Sequence, residues 1–206
     1  MNNKQIWDAI YRNYSPSKLP WYGLSFPPQI DKFLEKLDKS DLIIVVGCGA
    51  GDTAAQIYNK GFTNILGTDI SSEAIELAKK RFPDIKFQCI ATEDLYKQAY
   101  NDANIVDWLN LHQVPPTLLS KYLKSLNKLS KSLFLAYFYD PQRPDVQKSM
   151  ITNGLIYNHK PALVKNLLKD MKKKEESIFS IEISRKFGKT DYKWKTIAQV
   201  YRKKIS

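Results

Sequence analysis

An α/β fold with a doubly wound, mostly parallel seven-stranded sheet and a C-terminal antiparallel hairpin is what this sequence predicts, on three observations. Short apolar runs alternate with amphipathic stretches from residue 41 to residue 139, the pattern of repeated strand–helix units. The first run, Asp41-Leu42-Ile43-Ile44-Val45-Val46, is continuously apolar, as expected of a strand buried on both faces, and leads straight into glycines. The last two strand-like runs, Ser177–Ser184 and Lys195–Tyr201, are joined by a loop containing Gly188 rather than by a helix, so they are expected to pair antiparallel.

The elements follow in order. Ile6–Tyr14 and Gln29–Leu37 read as helices on either side of an aromatic segment, Leu19-Pro20-Trp21-Tyr22-Gly23. After the first strand, a helix from Asp52 to Lys60 stops at Gly61, and Thr63–Ile70 is the second strand. Ser71 or Ser72 can cap the next helix, which runs through Arg81 with Glu73 and Glu76 near its positive end. Ile85–Ile90 and Asn104–Leu109 are the third and fourth strands. Pro116 opens a helix to Leu129, at a position where its missing N–H is harmless, and Leu133–Tyr139 is the fifth strand. The pattern then changes. Asp140–His159, with Pro141, Pro144 and Gly154, reads as an irregular insertion, and Lys160–Lys174 as a helix with Pro161 in its first turn. No composition break divides the 206 residues, so 1–206 is expected to be one domain, with an N-terminal aromatic lid over 1–40 and the insertion at 140–159 beside an acceptor pocket.

Cys48 and Cys89 are too few for a disulfide framework and lack metal-ligand spacing. Reduced thiols, no metal and a cytoplasmic setting are therefore expected. The polar start, Met1-Asn2-Asn3-Lys4-Gln5, leads to no apolar run near the roughly 18 residues a span requires, so neither a secretory signal nor a membrane partner is expected. The formal charge is +11, and from Lys160 onward 14 basic residues stand against 5 acidic ones. Such a surface can attract nucleic acid. The lysines are scattered over several elements, however, as on an ordinary solvated surface.

The residues that carry chemistry cluster where the first strand ends. Gly47-Cys48-Gly49-Ala50-Gly51 lets the backbone turn sharply and approach a ligand closely. Asp69 ends the second strand 22 residues after Gly47, the usual place for a carboxylate that accepts from two ribose hydroxyls. Both features point independently to the same edge of the sheet. A dinucleotide fold would show G-x-G-x-x-G, with the helix N-terminus facing a pyrophosphate. Here the third glycine is residue 51 and the helix opens with Asp52, which would repel a pyrophosphate but suits a cationic ligand.

With this spacing, residues 42–139 resemble the class I S-adenosylmethionine-dependent methyltransferases. The resemblance implies a Rossmann-like methyltransferase fold with S-adenosylmethionine as cofactor. It implies that the loop residues Gly47, Cys48, Gly49 and Gly51 approach the methionine and ribose parts, that Asp69 holds the ribose, and that Ile70 packs on adenine. Family members often carry Asp after the third strand; Ala91 stands there in this chain, leaving Thr92, Glu93 or a backbone group to contact adenine. Val106-Asp107-Trp108-Leu109-Asn110-Leu111-His112-Gln113 resembles the family's fourth motif. That places Asp107 or Leu109 against the methionine portion and offers Asp107 and His112 as candidate catalytic groups, His112 as a base. A structural histidine at a helix start is the competing reading. The lead-in Ile6-Trp7-Asp8-Ala9-Ile10-Tyr11, followed by Pro20-Trp21-Tyr22, resembles that of the thiopurine- and tellurite-resistance-type small-molecule methyltransferases. There a second Trp covers the active site. Trp21 is the candidate here, able to exclude water and to contact a sulfonium by cation–π attraction, with plain packing on the sheet as the alternative.

Acceptor groups are expected from the strand ends, the lid and the insertion, with Tyr137, Tyr139, Tyr157 and His159 as candidates. Pro115-Pro116-Thr117 only superficially matches the D/N-P-P-Y of enzymes that methylate base amino groups, and the cysteine a cytosine-C5 enzyme needs is missing from this loop. The expected function is in-line methyl transfer to a small-molecule substrate. The alternatives are an RNA- or protein-directed methyltransferase using the basic C-terminal face, or an inactive cofactor-binding subunit. No RNP-type or zinc-knuckle signature favours nucleic acid, and the sequence leaves the oligomeric state open.

Overall fold

The computed structural model describes residues 2–148, 155–183 and 192–204. Its strands are β1 (Ile43–Val46), β2 (Ile65–Asp69), β3 (Lys86–Cys89), β4 (Ala103–Trp108), β5 (Ser130–Phe138), β6 (Val146–Lys148), β7 (Leu155–Tyr157), β8 (Met171–Ile183) and β9 (Tyr192–Lys203). The helices are α1 (Asn3–Asn13), α2 (Pro28–Leu34), α3 (Asp52–Tyr58), α4 (Ser72–Arg81), α5 (Pro116–Leu129) and α6 (Pro161–Leu167). Seven strands form one sheet in the order β3-β2-β1-β4-β5-β9-β8. The first five run parallel, while β9 is antiparallel to both β5 and β8. This is the doubly wound, mostly parallel seven-stranded sheet with a C-terminal antiparallel pair that the apolar runs predicted.

Strand order reverses between β1 and β4, so the loops leaving their carboxyl ends diverge and open a crevice. Strand alternation divides the core into two layers. Val45, Val106 and Phe134 face α2, α3 and α4, whereas Ile44, Ile105 and Leu135 face α5 and α6. Capping follows the sequence: Ser71 accepts from the Ala74 N–H, and Pro116 opens α5.

Three elements differ from expectation. The helix foreseen over Lys160–Lys174 stops at Leu167, and β8 begins at Met171. The Lys- and Glu-rich segment after Met171 has good helix propensity, but pairing with β9 overrides it, with a bulge between Lys173 and Glu175. The insertion is not wholly irregular, because Val146–Lys148 pairs antiparallel with Leu155–Tyr157. The two N-terminal helices also part company. α1 lies over the crevice, but α2 sends Ile30, Phe33 and Leu34 into the core and is no part of a lid. Gly154, Ser184 and Gly188 lie outside the described residues. No described helix is long and apolar enough to cross a membrane.

Candidate functional site

A cavity of about 190 Å³ opens at the carboxyl edge of the sheet, over the reversal point between β1 and β4. Its floor is the turn after β1. The Cys48 N–H donates to the Thr68 carbonyl at 2.9 Å and the Gly51 N–H to the Cys48 carbonyl at 3.0 Å, which curls the chain tightly into α3. Gly47 and Gly49 have φ of +61° and +54°, the left-handed region that glycine enters at no steric cost. Both are also hemmed in: a Cβ on Gly47 would run into the Asn110 side chain, and one on Gly49 into the Tyr11 hydroxyl. Gly51 serves differently. It does not line the cavity, where contact with a ligand was expected of it; a Cβ there would strike Phe82 and Phe87, so its smallness lets α3 seat on the sheet.

Asp69 is buried at the end of β2, one carboxylate oxygen accepting the Gly49 N–H and the other the Ser71 N–H, each at 2.9 Å. Burial raises its pKa, and the Ser71, Gly49 and Ile70 N–H groups oppose the rise. Three N–H donors do not exhaust the roughly four lone-pair sites of a carboxylate, so Asp69 keeps acceptor capacity for a hydroxyl. Asp52 also borders the cavity, but Arg81 holds it in a two-pronged pair at 2.7 and 2.8 Å. Its charge is thus already balanced, which removes the selectivity for a cation that its position in the sequence suggested.

An aromatic cluster roofs the cavity. Trp7 and Tyr11 from α1 meet Trp21, the Trp7–Trp21 and Tyr11–Trp21 centroids being 5.6 and 6.5 Å apart in edge-on geometry. α1 is fastened to the start of α4: Asp8 accepts the Ser71 hydroxyl at 2.7 Å and pairs with Lys4 at 2.5 Å, and Arg12 pairs with Glu73 at 2.7 Å. Trp21, Gly47, Cys48, Gly49 and Asp69 therefore surround one end of the cavity, and Ile70, Thr92 and Glu93 line the same space. Ala91, at the usual acidic position, does not line it, whereas its neighbours Thr92 and Glu93 do.

The turn after β4 forms the opposite wall. Leu109 lines the cavity with φ of +62°, an uncommon conformation for a branched residue. Asp107 does not reach the cavity. Strand parity turns it under α5, where it is fully buried, accepting the Tyr122 hydroxyl at 2.7 Å and the Asn110 and Leu111 N–H groups at 3.0 and 3.3 Å. Burial pushes its pKa up to about 7, and Tyr122 and the two N–H groups oppose the shift. Asp107, expected against the ligand and as a catalytic group, thus faces the α5 side of the core and not the cavity.

His112 does line the cavity, its ring packed on Phe138 with centroids 4.1 Å apart. It is buried, its Nδ1 has no hydrogen-bond partner among the described residues, and burial together with His159 pushes its pKa down to about 3. The ring is neutral at physiological pH and a weak proton acceptor. Phe138 in turn stacks on Trp194 from β9 at 4.8 Å, and the Arg143 guanidinium lies 4.4 Å from the Trp194 ring centroid.

Of the four acceptor-pocket candidates, none lines this cavity. Tyr137 points into the α5 side of the core and Tyr139 and Tyr157 border a small neighbouring cleft, while His159 bonds the Val114 carbonyl at 2.9 Å. Their neighbours Phe138 and Ile156 line the cavity instead, because a one-residue change of register turns a side chain to the other face. Trp194 was missed altogether, since only the long-range pairing of β9 with β5 brings it to the site.

Residues 43–132 match the family model of a methyltransferase domain. The eEF1A lysine and N-terminal methyltransferase homolog of Drosophila melanogaster is 31% identical over 87 residues, covering 39% of this chain and 12% of the relative, so the match spans about an eighth of that protein. The 2-heptyl-1-hydroxyquinolin-4(1H)-one methyltransferase of Mycobacteroides abscessus is 25% identical, covering 61% of this chain and 59% of the relative. Among solved structures, a TehB-like S-adenosylmethionine-dependent methyltransferase from Corynebacterium glutamicum superposes with a TM-score of 0.62 at 14% identity, covering 88% of this chain and 90% of the other.

Proposed function

We propose that this chain, whose residues 43–132 match the model of a methyltransferase domain, transfers the methyl group of S-adenosylmethionine to a small-molecule acceptor. One observation carries the reading: a single cavity joins the glycine turn and Asp69 to an apolar, aromatic end, under a roof of Trp7, Tyr11 and Trp21. The residues present fit the cofactor. Asp69 offers a carboxylate acceptor to ribose hydroxyls, the side-chain-free backbone at Gly47 and Gly49 leaves room for close approach, and Ile70 with Thr92 and Glu93 suits a planar base. When bound, the cofactor supplies an electrophilic sulfonium methyl.

What the chain contributes is alignment and dryness. Trp21 and Tyr11 shield the cavity from water and present π-faces to a cation. Phe138, Ile156 and Trp194 hold the acceptor through apolar contact. His112, kept neutral by burial, orients the acceptor by a hydrogen bond and does not take its proton. The named acceptor of the Mycobacteroides abscessus relative, a substituted quinolone, is the kind of molecule such an end would admit.

A second reading, methylation of protein or RNA, draws on the net charge of +11 and on the protein-directed name of the Drosophila relative. Calorimetry with S-adenosylmethionine and S-adenosylhomocysteine tests the shared premise, which fails if neither binds better than about millimolar. Transfer of labelled methyl to size-fractionated cell extract separates the rest. Label in the low-mass fraction supports the small-molecule reading, whereas label on protein or RNA supports the second.

A further inference from the structure

The turn after β4 is held by a closed set of buried hydrogen bonds. One Asp107 oxygen takes the Asn110 and Leu111 N–H groups, and the other takes the Tyr122 hydroxyl at 2.7 Å. The same hydroxyl accepts from the Asn110 side-chain amide, also at 2.7 Å. Asn110 is thus fixed twice, through its backbone by Asp107 and through its side chain by Tyr122. Its side chain occupies the space that a Cβ on Gly47 would need. Asn110 and Tyr122 both line the cavity, and Leu109, forced to φ of +62°, lies between Asp107 and Asn110 and lines it too. The loops that diverge at the strand-order reversal are therefore keyed together by Asn110, and Asp107 holds the key.

We infer that Asp107 is a positioning residue that sets the cofactor-binding geometry of the Gly47 turn through Asn110 and Tyr122, without touching the ligand. This rests on the cofactor reading above. The physical case is that a buried carboxylate with every near donor directed at it fixes those donors more firmly than a neutral group could. An amide at 107 has one acceptor oxygen in place of two, so either its NH2 faces the Tyr122 hydroxyl, leaving that hydrogen without its acceptor, or it faces the Asn110 and Leu111 N–H groups, leaving those donors unmet. A proton on the carboxyl would do the same, because the Tyr122 hydroxyl could no longer donate to that oxygen. The titratable groups facing Asp107 are Tyr122 from α5 and Tyr137 from β5, and no ion pair reaches it among the described residues. Its proton therefore leaves near neutrality, where burial has placed its pKa, at about 7.

The test is calorimetric affinity for S-adenosylhomocysteine in the full chain, for the unmodified protein, Asp107→Asn, Asn110→Ala and the double variant, each checked for folding by its melting curve. Affinity is expected to fall about tenfold in each single variant and by no more in the double, since both remove one coupled device. The unmodified protein should also lose affinity between pH 8 and pH 6, and Asp107→Asn should not. Folded Asp107→Asn that binds as tightly as the unmodified protein, or losses that simply add, overturns the proposal. If Asp107→Asn does not fold, the pH series on the unmodified protein decides, and a flat response between pH 8 and 6 overturns it. Absence of binding by the unmodified protein would instead overturn the cofactor reading, and this inference with it.

Discussion

The Asp8 carboxylate of α1 accepts the Ser71 hydroxyl at 2.7 Å, and the Ser71 N–H donates to Asp69 at 2.9 Å. The roof of the cavity is thereby fastened to the residue that directs its principal acceptor. Asp8 pairs with Lys4, and the Lys4, Ser71 and Glu73 contacts hold its pKa below the ordinary carboxylate value against the opposing effect of burial. The stabilisation it gives is full above the unfolded pKa and is lost as pH falls through the lowered folded one.

Asp8→Ala should release α1. Loss of charge-assisted bonds at this half-buried position costs about 1–2 kcal/mol. Hydrogen exchange should rise across residues 3–13 while that of β1 and β4 is unchanged, and affinity for S-adenosylhomocysteine should fall. Unchanged exchange in α1 would show that the aromatic cluster alone fastens the roof.

Gly49→Ala should abolish cofactor binding. A left-handed alanine costs about 1–2 kcal/mol, and its Cβ would meet the Tyr11 hydroxyl. Adding Tyr11→Phe removes the collision but not the backbone strain, so it should recover binding only in part. Full recovery would place the whole effect in the collision.

Affinity for S-adenosylmethionine should decline on mild acidification through Asp69. Its pKa is raised by burial, so the carboxylate that accepts hydroxyls is present above that raised value and is lost as pH falls through it. Asp69→Asn keeps the shape, replaces one acceptor with a donor, and should bind weakly with no such decline. Calorimetry along a descending pH series from neutrality reads both effects.

Nitrogen NMR of labelled histidine should show His112 neutral throughout the range from pH 5 to 8. The chain has only two histidines, and both are shifted downward by burial. Midpoints near the ordinary value for His112 would restore its candidacy as a base.

Much of this protein is determined by local sequence. The continuous apolar runs, the glycines at 47, 49 and 51, the Ser71 cap and Pro116 each act through backbone sterics or hydrogen bonds within a few residues, so the parallel sheet, the tight glycine turn and the position of Asp69 were all readable from residue order. What only tertiary structure decided is which way side chains point and which distant groups meet. Strand parity turned Asp107 beneath α5 and put Phe138 rather than Tyr137 or Tyr139 at the cavity. Pairing with β9 made a strand of a lysine-rich segment with helical propensity, and delivered Trp194 to Phe138. Arg81 balanced Asp52 from 29 residues away. Burial, a property of the assembled core, pushed the His112 pKa down, which its place in the sequence did not reveal. Periodicity is local and survives in the sequence, whereas register, burial and charge pairing come from contacts made only when the sheet closes.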